Sequence, residues 1–248
     1  SAVETLGSTT VICSDKTGTL TQNKMTIQKM YDASGHYNVS GTGYSPEGEI
    51  TDEAGSTPAS YPDRLIEGAL LCNDATYDPD KQTIVGDPTE AAMVVLAYKH
   101  GMKKAEWEAK YPRVQEIPFD SDRKLMSTFH KIGDSITMYT KGAPDELLRR
   151  CTRIEENGTV NPLTDVKREE ILGVNQDMAQ SALRVIGVAY RLMDKADPSP
   201  ESENDLIFVG LVGMIDPPRE EAKEAIDVCK TAGIQVKMIT GDHKITAS

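Results

Sequence analysis

The sequence predicts the α/β class, with parallel-type strands near both ends of the chain and an antiparallel α+β unit between them. Three observations lead there. The β-branched run Thr9-Thr10-Val11-Ile12-Cys13 reads as a buried parallel strand and leads into Ser14-Asp15-Lys16-Thr17-Gly18-Thr19-Leu20-Thr21. A second such strand, Gln235–Ile239, leads into Thr240-Gly241-Asp242, so adjacent parallel strands would set Thr240 beside Asp15. The intervening residues alternate strand-length and helix-length patterns with hairpin turns, which suits an antiparallel sheet with flanking helices.

Each element follows from local pattern. Residues 25–31 alternate polar and apolar, residues 37–40 repeat the pattern, and Ser34-Gly35 between them predicts a hairpin turn. The Pro-, Gly-, Ser- and Glu-rich residues 45–62 predict a mobile surface excursion. Asp63–Leu71 carries a helical stripe at Leu65, Ile66, Ala69 and Leu70. Thr83–Val85 reads as a short strand. Asp87 is then an N-cap, with Pro88 at the first helical position, Glu90 in the first turn, and Gly101 past the end near Lys99. Residues 114–127 give strand, turn and strand. Residues 135–140 form a strand delivering Lys141-Gly142-Ala143-Pro144-Asp145, where Pro144 starts a helix over 145–151. A turn follows at 155–158, then a helix over 165–181 capped by Thr164, a strand at 184–191, a polar loop at 194–204 and the apolar strand Leu206–Ile215. Asp216-Pro217-Pro218-Arg219 cannot extend that strand and reads as a rigid joint before a helix over 220–232.

At 248 residues the chain has room for two ordinary domains. Its 39 acidic against 27 basic residues, a formal net charge of -12, argue against nucleic acid or an anionic membrane surface as the main partner, and any polyphosphate site must be locally basic. Cys13, Cys72, Cys151 and Cys229 are widely spaced without a Cys-x-x-Cys pair, which suggests neither zinc nor a disulfide framework and fits a reducing cytosol. The longest apolar run, Leu206–Ile215, is half the roughly 20 residues that a membrane helix needs.

The chemistry concentrates at Asp15. A carboxylate at a strand's C-terminal end, beside a glycine that can turn backbone N–H groups onto an anion, suits phosphoryl transfer through an acyl phosphate. Phe119 offers a flat face for a purine, Lys124 and Lys141 supply compact cations, and Gly142 leaves room for a ligand against the backbone. Unaided, Glu90 reads as a favourable helix-start carboxylate and Arg184 as a surface strand residue.

Asp15-Lys16-Thr17-Gly18-Thr19-Leu20-Thr21 resembles, without a mismatch, the phosphorylation motif of the P-type ATPases, cation pumps of the haloacid dehalogenase superfamily. Gly86-Asp87-Pro88-Thr89-Glu90 is similar to the Gly-Glu/Asp-x-Thr-Glu stretch of type II pumps. Phe119 to Met126 resembles the Phe-x-x-x-Arg-Lys-x-Met segment of calcium-pump nucleotide domains, although Ser121 stands where many relatives place an Arg. Lys141 to Asp145 resembles Lys-Gly-Ala-Pro-Glu/Asp, and the Asp-Pro-Pro-Arg joint and Thr240-Gly241-Asp242 match two further family motifs.

The resemblance covers nearly the whole chain. It implies a truncated, split haloacid-dehalogenase-like (Rossmann-like) phosphorylation domain, residues 1–23 and 212–248, with a nucleotide-binding domain of antiparallel sheet, residues 24–211, inserted. It implies ATP and magnesium as cofactors. Asp15 would attack the γ-phosphate, with Lys16, Thr17, Thr19, Thr240, Gly241 and Asp242 around the phosphoryl group and magnesium beside Asp15 and Thr17. Adenine would lie by Phe119, with Lys124, Lys141, Gly142 and Arg184 lining the pocket, Glu90 at its edge, and Asp216 and Arg219 in the same nucleotide-side set. Implied partners are a transported cation, calcium by the Phe119–Met126 match, together with actuator and membrane domains of the same chain, on the cytoplasmic side of a membrane. Two alternatives stand beside this. One is a soluble aspartate-nucleophile phosphatase, but Thr17 occupies the place where that superfamily often carries an acid/base Asp. The other is a nucleotide-binding module without turnover. No Gly-Asp-Gly-x-Asn-Asp motif, the family's magnesium-binding carboxylates, occurs in the sequence, so the chain is expected to bind ATP without turning it over.

Overall fold

The computed structural model describes residues 9–239. In chain order the elements are β1 (Val11–Asp15), β2 (Thr26–Asp32), β3 (Gly35–Val39), β4 (Ile50–Asp52), α1 (Asp63–Leu71), β5 (Thr76–Asp78), β6 (Thr83–Val85), α2 (Pro88–Lys99), α3 (Lys104–Lys110) and β7 (Arg113–Asp120). There follow β8 (Leu125–Ile132), β9 (Ser135–Gly142), α4 (Pro144–Arg150), β10 (Cys151–Glu156), β11 (Thr159–Pro162), α5 (Asp165–Gln180), β12 (Arg184–Met193), β13 (Leu206–Ile215), α6 (Glu220–Thr231) and β14 (Gln235–Ile239). Thr240, Gly241 and Asp242 lie outside the described residues.

Among the described residues, ten strands form one sheet in the order β4-β3-β2-β13-β12-β9-β8-β7, with β10 and β11 branching from β13. Every pairing in it is antiparallel except β10 with β13. β13 serves two neighbours along one edge: Leu206 to Phe208 pair with β10, and Gly210 to Ile215 pair with β2. A register shift opposite Val188 and Ala189 leaves Val209 between them, which reverses the side-chain alternation. Ile207, Val209, Val212 and Met214 therefore face one layer, and Leu206, Phe208 and Leu211 face the other.

Helices cover both faces. On one side α1 buries Leu65, Ile66, Leu70 and Leu71 and α2 buries Met93, Val94 and Leu96 against Tyr139, Val188 and Tyr190 of the sheet. On the other, Leu147 and Leu148 of α4 and Ile171 and Met178 of α5 cover Phe129, Met138 and Phe208. Each such side chain taken fully out of water contributes roughly 1.5–3 kcal/mol, so the large sheet has a core on each face. No helix among the described residues is long and apolar enough to cross a membrane.

β1 and β14 pair in parallel, Asp15 opposite Ile239, as the two strand-end motifs require. The expectation of a buried β1 fails: Val11 and Ile12 are exposed, because among the described residues β1 pairs with β14 alone and its other edge carries no strand. Residues 45–62 are more built than their composition suggests, since β4 extends the sheet beside β3 and Ile50 is buried in the core. The turn at 155–158 is a hairpin joining β10 to β11. The expected division at residue 212 falls inside β13, whose stretch from Val212 to Ile215 pairs with β2 on one side and whose Val212 to Met214 pairs with β12 on the other.

Candidate functional site

The antiparallel registers gather most of the candidate residues at one end of the sheet. Leu125 pairs with Gly142, Gly142 with Gly187, Arg184 with Met214, and Ile215 with Thr26. The end of β7, the start of β8, the end of β9, the start of β12, the end of β13 and the start of β2 thus share one rim. Phe119, Lys124, Lys141, Gly142 and Arg184 sit there, and so do both chain connections to the β1–β14 pair.

Phe119 lies where the β7–β8 register shifts between Ile117 and Asp120, and that irregularity turns its ring outward, 63% exposed. A phenylalanine so placed is not a core residue. Beyond it, the Asp120 carboxylate accepts the N–H groups of Asp122 (2.9 Å) and Arg123 (3.0 Å), closing the turn to an exposed Lys124 at φ +55.

Lys141 is nearly buried, and its ammonium donates to Glu90 Oε1 (2.5 Å) and to the Cys72 carbonyl. Glu90 stands in the first turn of α2, which starts as expected: the Asp87 carboxylate accepts the Thr89 N–H (2.8 Å), and Pro88 follows. Glu90 Oε2 also accepts the Asp74 N–H at 3.1 Å. The segment after α1 collects cations besides Lys141: Lys104 donates to the carbonyls of Asn73 and Ala75, and Arg113 to that of Asn73. Burial lowers the Lys104 pKa from the ordinary lysine value and raises that of the Cys72 thiol, against the pull of Lys141. Nothing in the sequence around Asn73 marks this arrangement, because its carbonyls carry no residue-type signal.

The expected role of Gly142 is corrected by the packing. A Cβ there would fall 2.1 Å from the Lys124 carbonyl oxygen and 2.7 Å from Leu125 Cδ2, so the neighbouring strand, not a ligand, fills the space that glycine leaves. Arg184 is exposed and donates to the Thr89 hydroxyl (3.1 Å), one residue from Glu90.

Across from this rim, residues Lys16–Leu20 form a wide turn closed by the Thr21 N–H on the Lys16 carbonyl at 3.1 Å. Thr17 (φ -74, ψ 122) and Gly18 (φ 76, ψ -10) take the angles of the two central residues of a type II turn, whose second position requires a positive φ and hence glycine. Asp15, Thr17 and Thr19 are exposed at the strand end. Asp216 and Arg219 clamp this turn. Asp216 accepts the Thr21 hydroxyl (2.5 Å) and the Lys24 N–H (3.1 Å), while Arg219 donates to the carbonyls of Thr21 and Gly18, both at 3.0 Å. In this structure their contacts are to the motif and to Lys24 just beyond it, and it is the Thr21 hydroxyl, absent from the candidate set, that completes the clamp.

A cleft of about 440 Å³ joins the two halves. Lys16, Thr17, Asp87, Thr89, Arg184 and Asp216 are among its walls, so motif residues and the α2 start face one space. Among the described residues no cluster of three or more His, Cys, Asp or Glu side chains is arranged to hold a metal.

The fold sets helices on both faces of a largely antiparallel sheet, joined at one rim to a parallel pair that bears Asp15. The family profile described as P-type ATPase, cytoplasmic domain N, matches residues 62–221, and the chain belongs to that family. It is 45% identical over 247 residues to Calcium-transporting ATPase 1 of Bacillus cereus, covering 99% of this chain and 26% of that protein. It is 44% identical to Cation-transporting ATPase pma1 of Synechocystis (99% and 28% covered) and 39% identical to the endoplasmic reticulum-type Calcium-transporting ATPase 3 of Arabidopsis thaliana (99% and 29%). The chain thus spans between 26% and 29% of the length of these curated relatives. Membership in this family sets the soluble phosphatase alternative aside.

Proposed function

We propose that this chain binds ATP at the rim of its large sheet and presents it to Asp15, as the nucleotide-handling part of a pump that moves a cation, calcium by analogy with the relatives' names, across a membrane. One observation carries the reading: an exposed phenylalanine stands at the same sheet end as Lys124, the Glu90–Lys141 pair and Arg184, and that end opens through a cleft onto Lys16 and Thr17. The adenine stacks on Phe119. Lys124 and Arg184 offer exposed cations to the phosphates in a chain that is otherwise acidic. Two of the three ammonium donors of Lys141 are taken by Glu90 and Cys72, so it holds the pocket wall and has one donor left for ligand.

In the pump, an Asp15 carboxylate oxygen attacks the γ-phosphorus. The acyl C–O–P bond forms as the bond to the bridging oxygen breaks, ADP leaves with that electron pair, and water later cleaves the acyl phosphate. Gly18 and Asp216 keep the turn in shape, and Lys16 supplies positive charge beside the reacting group. The hard oxygens of Asp15 and Thr17 fit magnesium, an ion that commonly takes one or two protein carboxylates and completes its shell with phosphate and water. When bound, it supplies charge neutralisation at the phosphates. The inserted unit and the motif-bearing pair, joined at residues 216–219, correspond in this reading to the nucleotide-binding and phosphorylation domains.

Isothermal titration of the chain with ATP tests the binding half. Phe119→Ala should weaken affinity by about 1 kcal/mol or more, and an absence of ATP binding by the parent chain removes the reading. Within the full pump, Asp15→Asn should abolish acid-stable labelling from γ-labelled ATP while leaving ATP binding intact. A labelled Asp15→Asn protein would move the nucleophile elsewhere.

A further inference from the structure

Glu203 is a fully buried carboxylate on the opposite face of the sheet from Glu90 and Lys141, and nothing in the proposed chemistry uses it. Its segment is anchored from two sides: Arg191 of β12 donates to the carbonyls of Ser202 and Asn204, each at 3.1 Å, and Arg150 at the end of α4 donates to the carbonyl of Glu203 itself. One carboxylate oxygen accepts the Ser127 hydroxyl at 2.7 Å. Because that proton is committed, Thr140 must be the donor in the 2.8 Å bond between the Thr140 and Ser127 hydroxyls. The other oxygen pairs with the guanidinium of Arg123. Arg123 also donates to the Pro118 carbonyl (2.7 Å), the residue before Phe119, and is itself the residue before Lys124.

A buried ion pair is a poor source of stability compared with apolar packing, so its retention points towards specificity of shape. The shape in question is unusual. Lys124 sits at φ +55, a left-handed conformation that a lysine keeps only when its surroundings over-determine it. The surroundings do: the Lys124 N–H bonds to the Asp120 carbonyl at 2.7 Å, the Ala143 N–H bonds to the Lys124 carbonyl at 3.2 Å, and Arg123 is tied to Glu203 between them.

We propose that Glu203, acting through Arg123, is a positioning residue for the nucleotide: it holds the turn over residues 118–124 from beneath the sheet, so that Phe119 and Lys124 are pre-set on the rim above. The inference rests on the nucleotide-binding reading, yet half of its test needs no nucleotide.

The variant is Glu203→Gln, whose amide still accepts from Arg123 while Ser127 can turn its hydroxyl to Thr140. In the 248-residue chain, amide hydrogen exchange at Arg123, Lys124 and Ala143 should quicken about tenfold, with core amides of α1 and α2 unchanged. ATP affinity by calorimetry should fall about five- to tenfold in the parent background and less than about twofold in a Phe119→Ala, Lys124→Ala background, since a positioning residue has no effect once what it positions is gone. Arg123→Lys, which keeps the charge but cannot reach both Glu203 and Pro118, should behave like Glu203→Gln and guards against misreading one misfolded variant. Unchanged exchange at the turn, or equal affinity losses in both backgrounds, overturns the inference. Failure of the parent chain to bind ATP overturns the nucleotide reading instead, and the exchange data still decide whether Glu203 holds the turn.

Discussion

Replacing Lys141 with alanine should cost stability as well as ATP affinity, and the structure allows the two to be separated. Lys141 is 8% exposed and its ammonium is held between Glu90 Oε1 and the Cys72 carbonyl. In Lys141→Ala the Cys72 carbonyl loses that donor, and the Glu90 side chain, 14% exposed, keeps the Asp74 N–H but faces no ammonium. Removing one member of a buried pair costs about 3–5 kcal/mol when the survivor stays charged and dry. Glu90 has some access to water, so we expect about 2–3 kcal/mol. The double variant Lys141→Met with Glu90→Gln removes both charges and should return to within about 1 kcal/mol of the parent. Urea unfolding without nucleotide measures the stabilities, and calorimetric titration with ATP measures binding on the same samples. Stability should recover in the double variant while ATP affinity stays low. If Lys141→Ala unfolds at the same urea concentration as the parent, the pair carries no such energy and the argument from its burial is wrong.

Three further outcomes are expected. His130 is buried with its ring nitrogens on the Tyr111 carbonyl and the Thr128 hydroxyl, and burial lowers its pKa to about 4. The unfolded chain, titrating near 6.5, then binds the extra proton, so the contribution of neutral His130, up to about 3 kcal/mol, is intact above about pH 6.5 and is lost as pH falls through about 4; His130→Gln should flatten that part of an acid unfolding series. Gly142→Ala places a methyl 2.1 Å from the Lys124 carbonyl oxygen, and thermal unfolding should report a loss of about 2–3 kcal/mol, whereas an unchanged midpoint would mean the two strands can separate freely there. Asp216→Ala strips the acceptor from the Thr21 hydroxyl and the Lys24 N–H at a cost of about 1–3 kcal/mol, and limited proteolysis should show faster cutting within residues 16–24.

Most helices and strands are legible because their signals are local, although α3 (Lys104–Lys110) is not among the expected elements. Asp63–Leu71, Pro88–Lys99, Leu206–Ile215 and Gln235–Ile239 run as expected, each bounded by a cap, a proline or a change in apolar period. What the pattern could not give was most of the pairing in the large sheet. β4 hides in a Pro- and Gly-rich stretch because an edge strand of three residues needs only one buried side chain, Ile50. β10 and β11 escape the pattern likewise, since only the turn at residues 155–158 between them carries a local signal. The site was legible by residue type at Phe119, Lys124 and Arg184, which the registers bring to one rim. It was illegible where backbone atoms act, as at the carbonyls of residues 72, 73 and 75, and where a partner is remote in sequence, as Glu203 is from Arg123. Gly142 shows the opposite error, since a glycine reserved for a neighbouring strand looks the same in sequence as one reserved for a ligand.

The chain crosses between the motif-bearing pair and the large sheet twice, and the two crossings lie side by side. Thr21 bridges Pro218, the Gln22 N–H bonds to the Pro217 carbonyl at 3.0 Å, and the Arg219 N–H bonds to the Leu20 carbonyl at 2.9 Å. The strands leaving the crossings, β2 and β13, are themselves hydrogen-bonded neighbours. Mechanically this is a strap of two laced threads. A single thread would let one body spin and slide against the other. Two laced together resist twist and shear, and yield chiefly by folding about the line that runs across both. On the proposed function, such a joint leaves close to one degree of freedom between the rim and Asp15, so that a nucleotide held on the rim would travel along a single arc.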